Sequence, residues 1–453
     1  MSSATVGESA LDRARSTLPA MATEGPKRGR LEWRAWSTVV GAWLMQFCVV
    51  GIVSSYGVMQ TFYAQEYLSN VSDSAISWIG TVQLFFMLAL SPIGGLLLDR
   101  GYLRQTLVSG SLFFVVCQFL LSLAHAHQYY QVFLSQGLGM GIGVGLIYMP
   151  TFGIVSQHFK QRRALAIGIV ASGSSLGTVV FSIALNYMLN GSLGFGWSIR
   201  VTSFMSVALL ALGNILIVKP APALLIPSNS TSAPDTATLR AEPSTTKGED
   251  DAADRQLPII VTSSPLLDKD YVLLLAMGFL FGLGQWFPSY YVQIYAEQHG
   301  VNSQLSFYAL AIMNISAMFG RVVPNGLADR WGNIEVYVPC TLCAGAIGFA
   351  MLGCGTAYGL VLFTIFYGFF FGTGVSLYLP VVHTLCAGKA DMGKRMGIAL
   401  FPVGVASLIG NPINGAILGS SLTWWKGVTF ASTTMLAGAA CMAAVLFSRV
   451  RSA

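Results

Sequence analysis

The chain has 453 residues, of which 54% are hydrophobic and only 10% charged, and its mean hydropathy is +0.63. Ordinary soluble domains carry roughly 25% charged residues, so much of this surface must face lipid. The formal net charge of +6 is dispersed in short bursts between apolar runs, a pattern of membrane topology that excludes nucleic acid as a partner.

Residues 1–33 are polar, rich in Ser and Ala, and have no apolar core of their own; a disordered tail is expected, not a secretory signal. A spanning helix needs about 20 mostly apolar residues. Runs of that length centre on 36–58, 76–98, 103–124, 128–156, 164–189 and 198–219, and again on 271–296, 304–328, 334–356, 359–383, 397–420 and 426–448. The expected fold is therefore all-α and membrane-embedded, with twelve helices in two halves, 34–219 and 270–449. Between them, 220–269 is rich in Pro, Ser, Thr, Ala and Asp and reads as a linker.

Of the 25 Lys and Arg, Arg200 and Lys426 lie at one side of the membrane and Arg321 lies inside it; the other 22 share the opposite side. The positive-inside rule makes that side cytoplasmic, together with both termini and the linker. The plasma membrane is the expected location. The opposite loops carry two glycosylation sequons, Asn70-Val71-Ser72 and Asn190-Gly191-Ser192.

Within the helices, "GLGMGIGVG" (137–145) places Gly137, Gly141 and Gly145 on one face. No strand precedes it, so it reads as a helix-packing face and not a dinucleotide loop. "GGLLLDRGYLR" (94–104) closes the second helix, and "GRVVPNGLADRWG" (320–332) closes the eighth, the second of its half. Arg200 and Lys426 each open the sixth helix of a half, just after tryptophans. The seven cysteines lie scattered in apolar segments. Cys340 and Cys343 are spaced C-x-x-C with no second ligand pair or His nearby, so they read as small buried hydrophobes. No metal, cofactor or enzymatic site is expected.

Paired six-helix halves with these loops resemble the major facilitator superfamily, whose Gly-Asp-Arg loop after helix 2 has its counterpart here and a partial copy after helix 8. "HFKQRRALAIGIVASGSSLG" (158–177) narrows the resemblance. Phe159, Arg162-Arg163, Leu165-Ala166-x-Gly168, Ala171-x-Gly173-Ser174 and Gly177 are similar to the fifth-helix signature of the monocarboxylate porter family, its fungal branch above all. The signature before helix 1 is matched in part: "GRLEWRAW" (29–36) keeps Glu32, Trp33 and Trp36 without the glycines. The resemblance implies an alternating-access transporter. It implies a gating role for Asp99, Arg100 and Arg104, and for their counterparts Asp329 and Arg330, by contacts between the halves. It also implies that Arg321, in an Arg-x-x-Pro-x-Gly setting, contacts a substrate carboxylate.

The residues support an anion site at Arg321 independently. It lies eight residues before Asp329, about 12 Å inward, and a buried arginine there costs about 2.5–3.5 kcal/mol unless partnered. No acidic residue lies comparably deep, so the readings are snorkelling, carbonyl capping or pairing with an anionic cargo. Asn314, seven residues earlier, projects to the same face. Tyr56, Tyr148, Trp286 and Tyr290 sit in helices expected to line the cavity, with Pro150 and Pro288 nearby. The acidic and lysine residues tied to proton coupling in animal members are replaced by Ala317 and Ser54. Among the remaining titratable groups, His383 is a candidate proton carrier, the plainer reading being a histidine at the membrane boundary.

The main expectation is a secondary transporter of a small, monocarboxylate-like organic anion, with protons a candidate second partner. The first alternative is an exporter of a fungal secondary metabolite. The second is a non-transporting nutrient sensor, which the few residues after 448 do not favour.

Overall fold

The computed structural model describes residues 25–159, 161–219, 268–389, 391–419 and 423–452. The first 24 residues of the expected tail and residues 220–267 of the expected linker lie outside the described residues. Within the described residues, twelve helices are long and apolar enough to cross a membrane. They are α1 (Glu32–Tyr67), α2 (Ser74–Asp99), α3 (Leu103–Leu121), α4 (Tyr129–His158), α5 (Arg163–Leu189), α6 (Gly194–Leu216), α7 (Lys269–Gln298), α8 (Ser303–Trp331), α9 (Asn333–Gly353), α10 (Ala357–Leu385), α11 (Met392–Leu418) and α12 (Trp424–Arg451). The twelve apolar runs thus each became one helix. One boundary differs: helical turns begin at Gly25, so the last nine residues assigned to the tail extend α1. Pro26 falls in the first turn, where a proline is tolerated, and an established helix propagates more easily than it nucleates.

Glycine decides how closely these helices approach. Along α4, Gly137 faces Ile79, Gly141 faces Gln83 and Gly145 faces Phe86, so the glycine face packs on α2 as its spacing requires. In α5, a Cβ on Gly177 would lie 2.1 Å from the Phe47 carbonyl oxygen of α1. Without a hydrophobic drive inside lipid, such close backbone contact is what holds neighbouring helices together. α8 and α10 repeat the device, Gly320 lying against Phe369 and Gly372 against Ala317.

Prolines interrupt the helices that line the centre. α2 breaks at Leu90 before Pro92, α7 at Trp286 before Pro288, and α10 at Leu377 before Pro380. At one face, Arg200 lies over the Trp197 ring at 5.1 Å and Lys426 over Trp425 at 5.8 Å, the same cation–π arrangement in each half. The halves meet along two seams, α5 on α8 and α2 on α11.

Candidate functional site

A cavity of about 1030 Å³ lies between the halves. Its mouth is on the face of the sequon loops, where Gln60, Asn186, Asn190, Gln293 and Glu297 line it near the ends of α1, α5 and α7. Its floor, near mid-membrane, is formed by Gln46, Tyr148, Ala171, Ser174, Arg321 and Phe371. All six residues picked out from sequence (Arg321, Asn314, Tyr56, Tyr148, Trp286 and Tyr290) line this one cavity. Among the described lining residues, Arg321 and Glu297 are the only charged ones.

Arg321 is 7% exposed. Its Nη1 donates to the Ala171 carbonyl at 2.7 Å and to the Ser174 hydroxyl of α5. The sequence offers no carboxylate at this depth. The partner is a carbonyl and a hydroxyl of the opposite half, which only the α5–α8 seam brings within reach. Carbonyl capping and exposure to the cavity therefore hold together. Asn314 donates to Leu310 O at 2.9 Å, and the Tyr56 hydroxyl donates to Ile76 O at 2.5 Å, so Tyr56 shapes the wall with its hydroxyl already committed. Trp286 packs edge-on against Phe371, ring centroids 5.4 Å apart.

Gln46 was missed. It is a lone amide in an apolar run, which was the available signal; Nε2 donates to Thr151 Oγ1 at 2.6 Å. Phe371, inside an unbroken aromatic run, gave no sequence signal. Four buried polar atoms of cavity residues, Gln46 Oε1, Ser182 Oγ, Trp286 Nε1 and Arg321 Nε, have no hydrogen-bond partner among the described residues.

Beyond the floor, towards the cation-rich face, the halves are sealed by a two-fold repeated contact. The Asp99 carboxylate of α2 accepts from the Gly393 and Lys394 amides at 2.9 and 2.8 Å, capping α11. Asp329 of α8 accepts from the Ala164 and Leu165 amides at 2.9 and 2.8 Å, capping α5. Each carboxylate meets exposed N–H groups and the positive end of a helix dipole from the other half. Gly95 and Gly393 permit the first contact, since a Cβ on Gly95 would lie 2.0 Å from Gly393 O. Arg100, Arg104 and Arg330 are exposed, and their side chains have no hydrogen bond or ion pair among the described residues. Of these loop residues, the aspartates and not the three arginines bridge the halves. The same layer holds Arg163 Nη1 of α5, 2.6 Å from His383 Nδ1 of α10.

The sequon asparagines are exposed. Asn70 Nδ2 donates to His127 O at 3.2 Å and Asn190 Nδ2 to Asn186 Oδ1 at 3.1 Å. Among the described residues no group of three or more His, Cys, Asp or Glu is arranged to hold a metal.

Comparison with known proteins agrees with this geometry. The agnestins efflux protein of Paecilomyces divaricatus is 35% identical over 390 residues, covering 85% of this chain and 81% of the relative. The aspyridones efflux protein of Emericella nidulans is 32% identical over 406 residues, covering 89% and 76%. Among solved structures, the proton:xylose symporter XylE bound to 6-bromo-6-deoxy-D-glucose superimposes with a TM-score of 0.68 at 13% identity, covering 90% of this chain and 95% of that one. Residues 42–391 match the profile of the Major Facilitator Superfamily. Two six-helix halves around a central cavity, with this match across most of the sequence, make the chain a multi-pass membrane transporter that belongs to the major facilitator superfamily.

Proposed function

We propose that this transporter exports a secondary metabolite with an aromatic or polycyclic body and a weakly acidic head. The observation that carries the reading is the cavity itself. Its volume of about 1030 Å³ lies at the upper end of the roughly 300–1,000 Å³ typical of sites for drug-sized ligands, far more than a small monocarboxylate fills. Both halves contribute aromatic walls, Tyr148 and Phe152 from one, Trp286 and Phe371 from the other. Arg321 offers the only cationic donor among the described lining residues. An orphaned buried polar atom costs about 1–3 kcal/mol, so cargo that meets Gln46 Oε1, Trp286 Nε1 and Arg321 Nε recovers that cost. The relatives named as efflux proteins support export over uptake of a small acid.

In this reading the cation-rich face is cytoplasmic and the membrane is the plasma membrane, so the cavity opens outward. The two aspartate caps and the glycines beneath them form the closed cytoplasmic gate. The fifth-helix likeness to monocarboxylate porters then bears on ancestry, while Arg321 keeps the anion-recognising role with a larger cargo.

The test is transport into proteoliposomes of labelled aromatic acids set against lactate-sized acids. Aromatic acids should be carried and should compete with one another. Arg321→Lys should lower the rate sharply, because an ammonium lacks the planar fork, and Arg321→Ala should insert normally and carry nothing. Preference for the small acids, or wild-type rates in the Ala variant, defeats the reading.

A further inference from the structure

The seal on the cation-rich side contains a histidine that can take a proton on the contacting nitrogen only when its link across the halves is broken. Arg163 Nη1 approaches His383 Nδ1 to 2.6 Å, from one half of the molecule to the other. A guanidinium can only donate, so Nδ1 accepts and carries no proton. The arginine is held in place by its own chain, with Nε donating to Ser156 O and Phe159 O at 3.0 Å each. The turn carrying the histidine is anchored to α9 by Asn333 Nδ2, which donates to Thr384 Oγ1 at 2.7 Å. Neither partner can swing away without disturbing its helix.

We propose that His383 is a proton-binding site that sets the state of this gate: neutral, it latches α10 to α5, and protonated, it releases them. A proton on Nδ1 removes the acceptor and sets an imidazolium against a guanidinium at contact distance. The contact therefore stabilises only the closed gate and only the neutral ring.

The charged surroundings are consistent with this. α5 supplies Arg163 and the exposed Arg162. α8 supplies Asp329, which attracts Arg163 but has both oxygens committed to the Ala164 and Leu165 amides. α9 supplies Glu335, α7 supplies Asp270 and Tyr271, and α11 supplies Asp391, Lys394 and Arg395. The same turn holds Cys386 and also Lys389, which pairs with Asp268 at 3.1 Å. Among the described residues, Arg163 alone is hydrogen-bonded to the ring. The half-buried ring lies at the cation-rich end of α10, so a proton arriving from that side opens the gate on that side.

The test uses the full-length chain in lipid nanodiscs, with Cys343→Ser and spin labels at Gln157→Cys and Ala387→Cys, two exposed positions on opposite halves. Distances are measured by pulsed electron resonance at about pH 8 and about pH 5.5, a window spanning the titration of a histidine freed from the guanidinium, so that acid favours the released state. The long-distance population should grow about five-fold or more on acidification, the low end of typical coupling between sites. His383→Asn places Oδ1 where Nδ1 stood without a site for the proton, and should stay short at both pH values. His383→Lys, a fixed cation, should be long at both. An unchanged wild-type distribution overturns the proposal, and so does an Asn variant that responds to acid as the wild type does. The cargo reading survives either outcome, because neither probe involves the cavity.

Discussion

Neutralising the two inter-half aspartates should open the sealed side of this transporter. Asp99→Asn and Asp329→Asn each keep one acceptor oxygen and turn the other into an amide that faces a backbone N–H. Each therefore loses one of two charge-assisted hydrogen bonds of 2.8–2.9 Å, worth about 1.5–3 kcal/mol. Each also loses a favourable charge at a helix N-terminus, about 0.3–1 kcal/mol. The sum is about 2–4 kcal/mol per site. Asp99 is the more exposed of the two and belongs at the lower end because solvent screens it. At about 1.4 kcal/mol per decade, each variant should shift the closed-to-open ratio on that side by roughly 30- to 700-fold. The pair of labels at 157 and 387 reads this directly, and the double variant should approach the sum of the single ones in free energy, since the caps lie on separate seams. If both variants keep the wild-type distance distribution and transport rate, the aspartates are ordinary helix caps and the gating argument fails.

Gly168→Val should also open the sealed side without unfolding the protein. A Cβ there would lie 2.1 Å from Arg321 O, across a seam that must part in the transport cycle anyway, and the labelled pair should lengthen while yield stays normal. Gly177→Val should behave oppositely, because its clash with Phe47 O falls between α1 and α5 within one half; folded yield on size-exclusion chromatography should fall, whatever the gate does. Trp286→Phe keeps the ring against Phe371 but removes the indole N–H, so cargo affinity in a thermal-shift titration should drop several-fold, in line with about 1 kcal/mol for a lost hydrogen bond, and Trp286→Ala should cost more. Lys389 holds the Asp268 carboxyl below its ordinary range by hydrogen bond and charge. What that pair, half-buried at Lys389 and exposed at Asp268, contributes is therefore present above the usual carboxylate pKa and fades as pH falls through the lowered one; Lys389→Ala should remove this small acid-side dependence from thermal stability curves.

The sequence by itself determined the number of spanning helices, their division into halves and the helix-packing role of Gly137, Gly141 and Gly145. These are local or periodic properties: apolar length must match the bilayer, and small residues four apart share a helical face. It also singled out Arg321, because a lone cation in an apolar helix is conspicuous in any arrangement. Which groups meet across the halves was decided only by the tertiary structure. Arg321 caps Ala171 and Ser174, Asp99 and Asp329 cap helices of the opposite half, and Arg163 meets His383, residues separated by 147 to 295 positions. Nothing local encodes such pairs, because they depend on how two separately packed bundles dock. The arginines of the signature loops show the same limit from the other side: motif spacing grouped Arg100, Arg104 and Arg330 with the gate, yet they point to solvent while the aspartates beside them bridge the seam. Cargo size was likewise invisible in the sequence, since a cavity is the space left between helices, and its volume is fixed by the angle at which the halves stand apart.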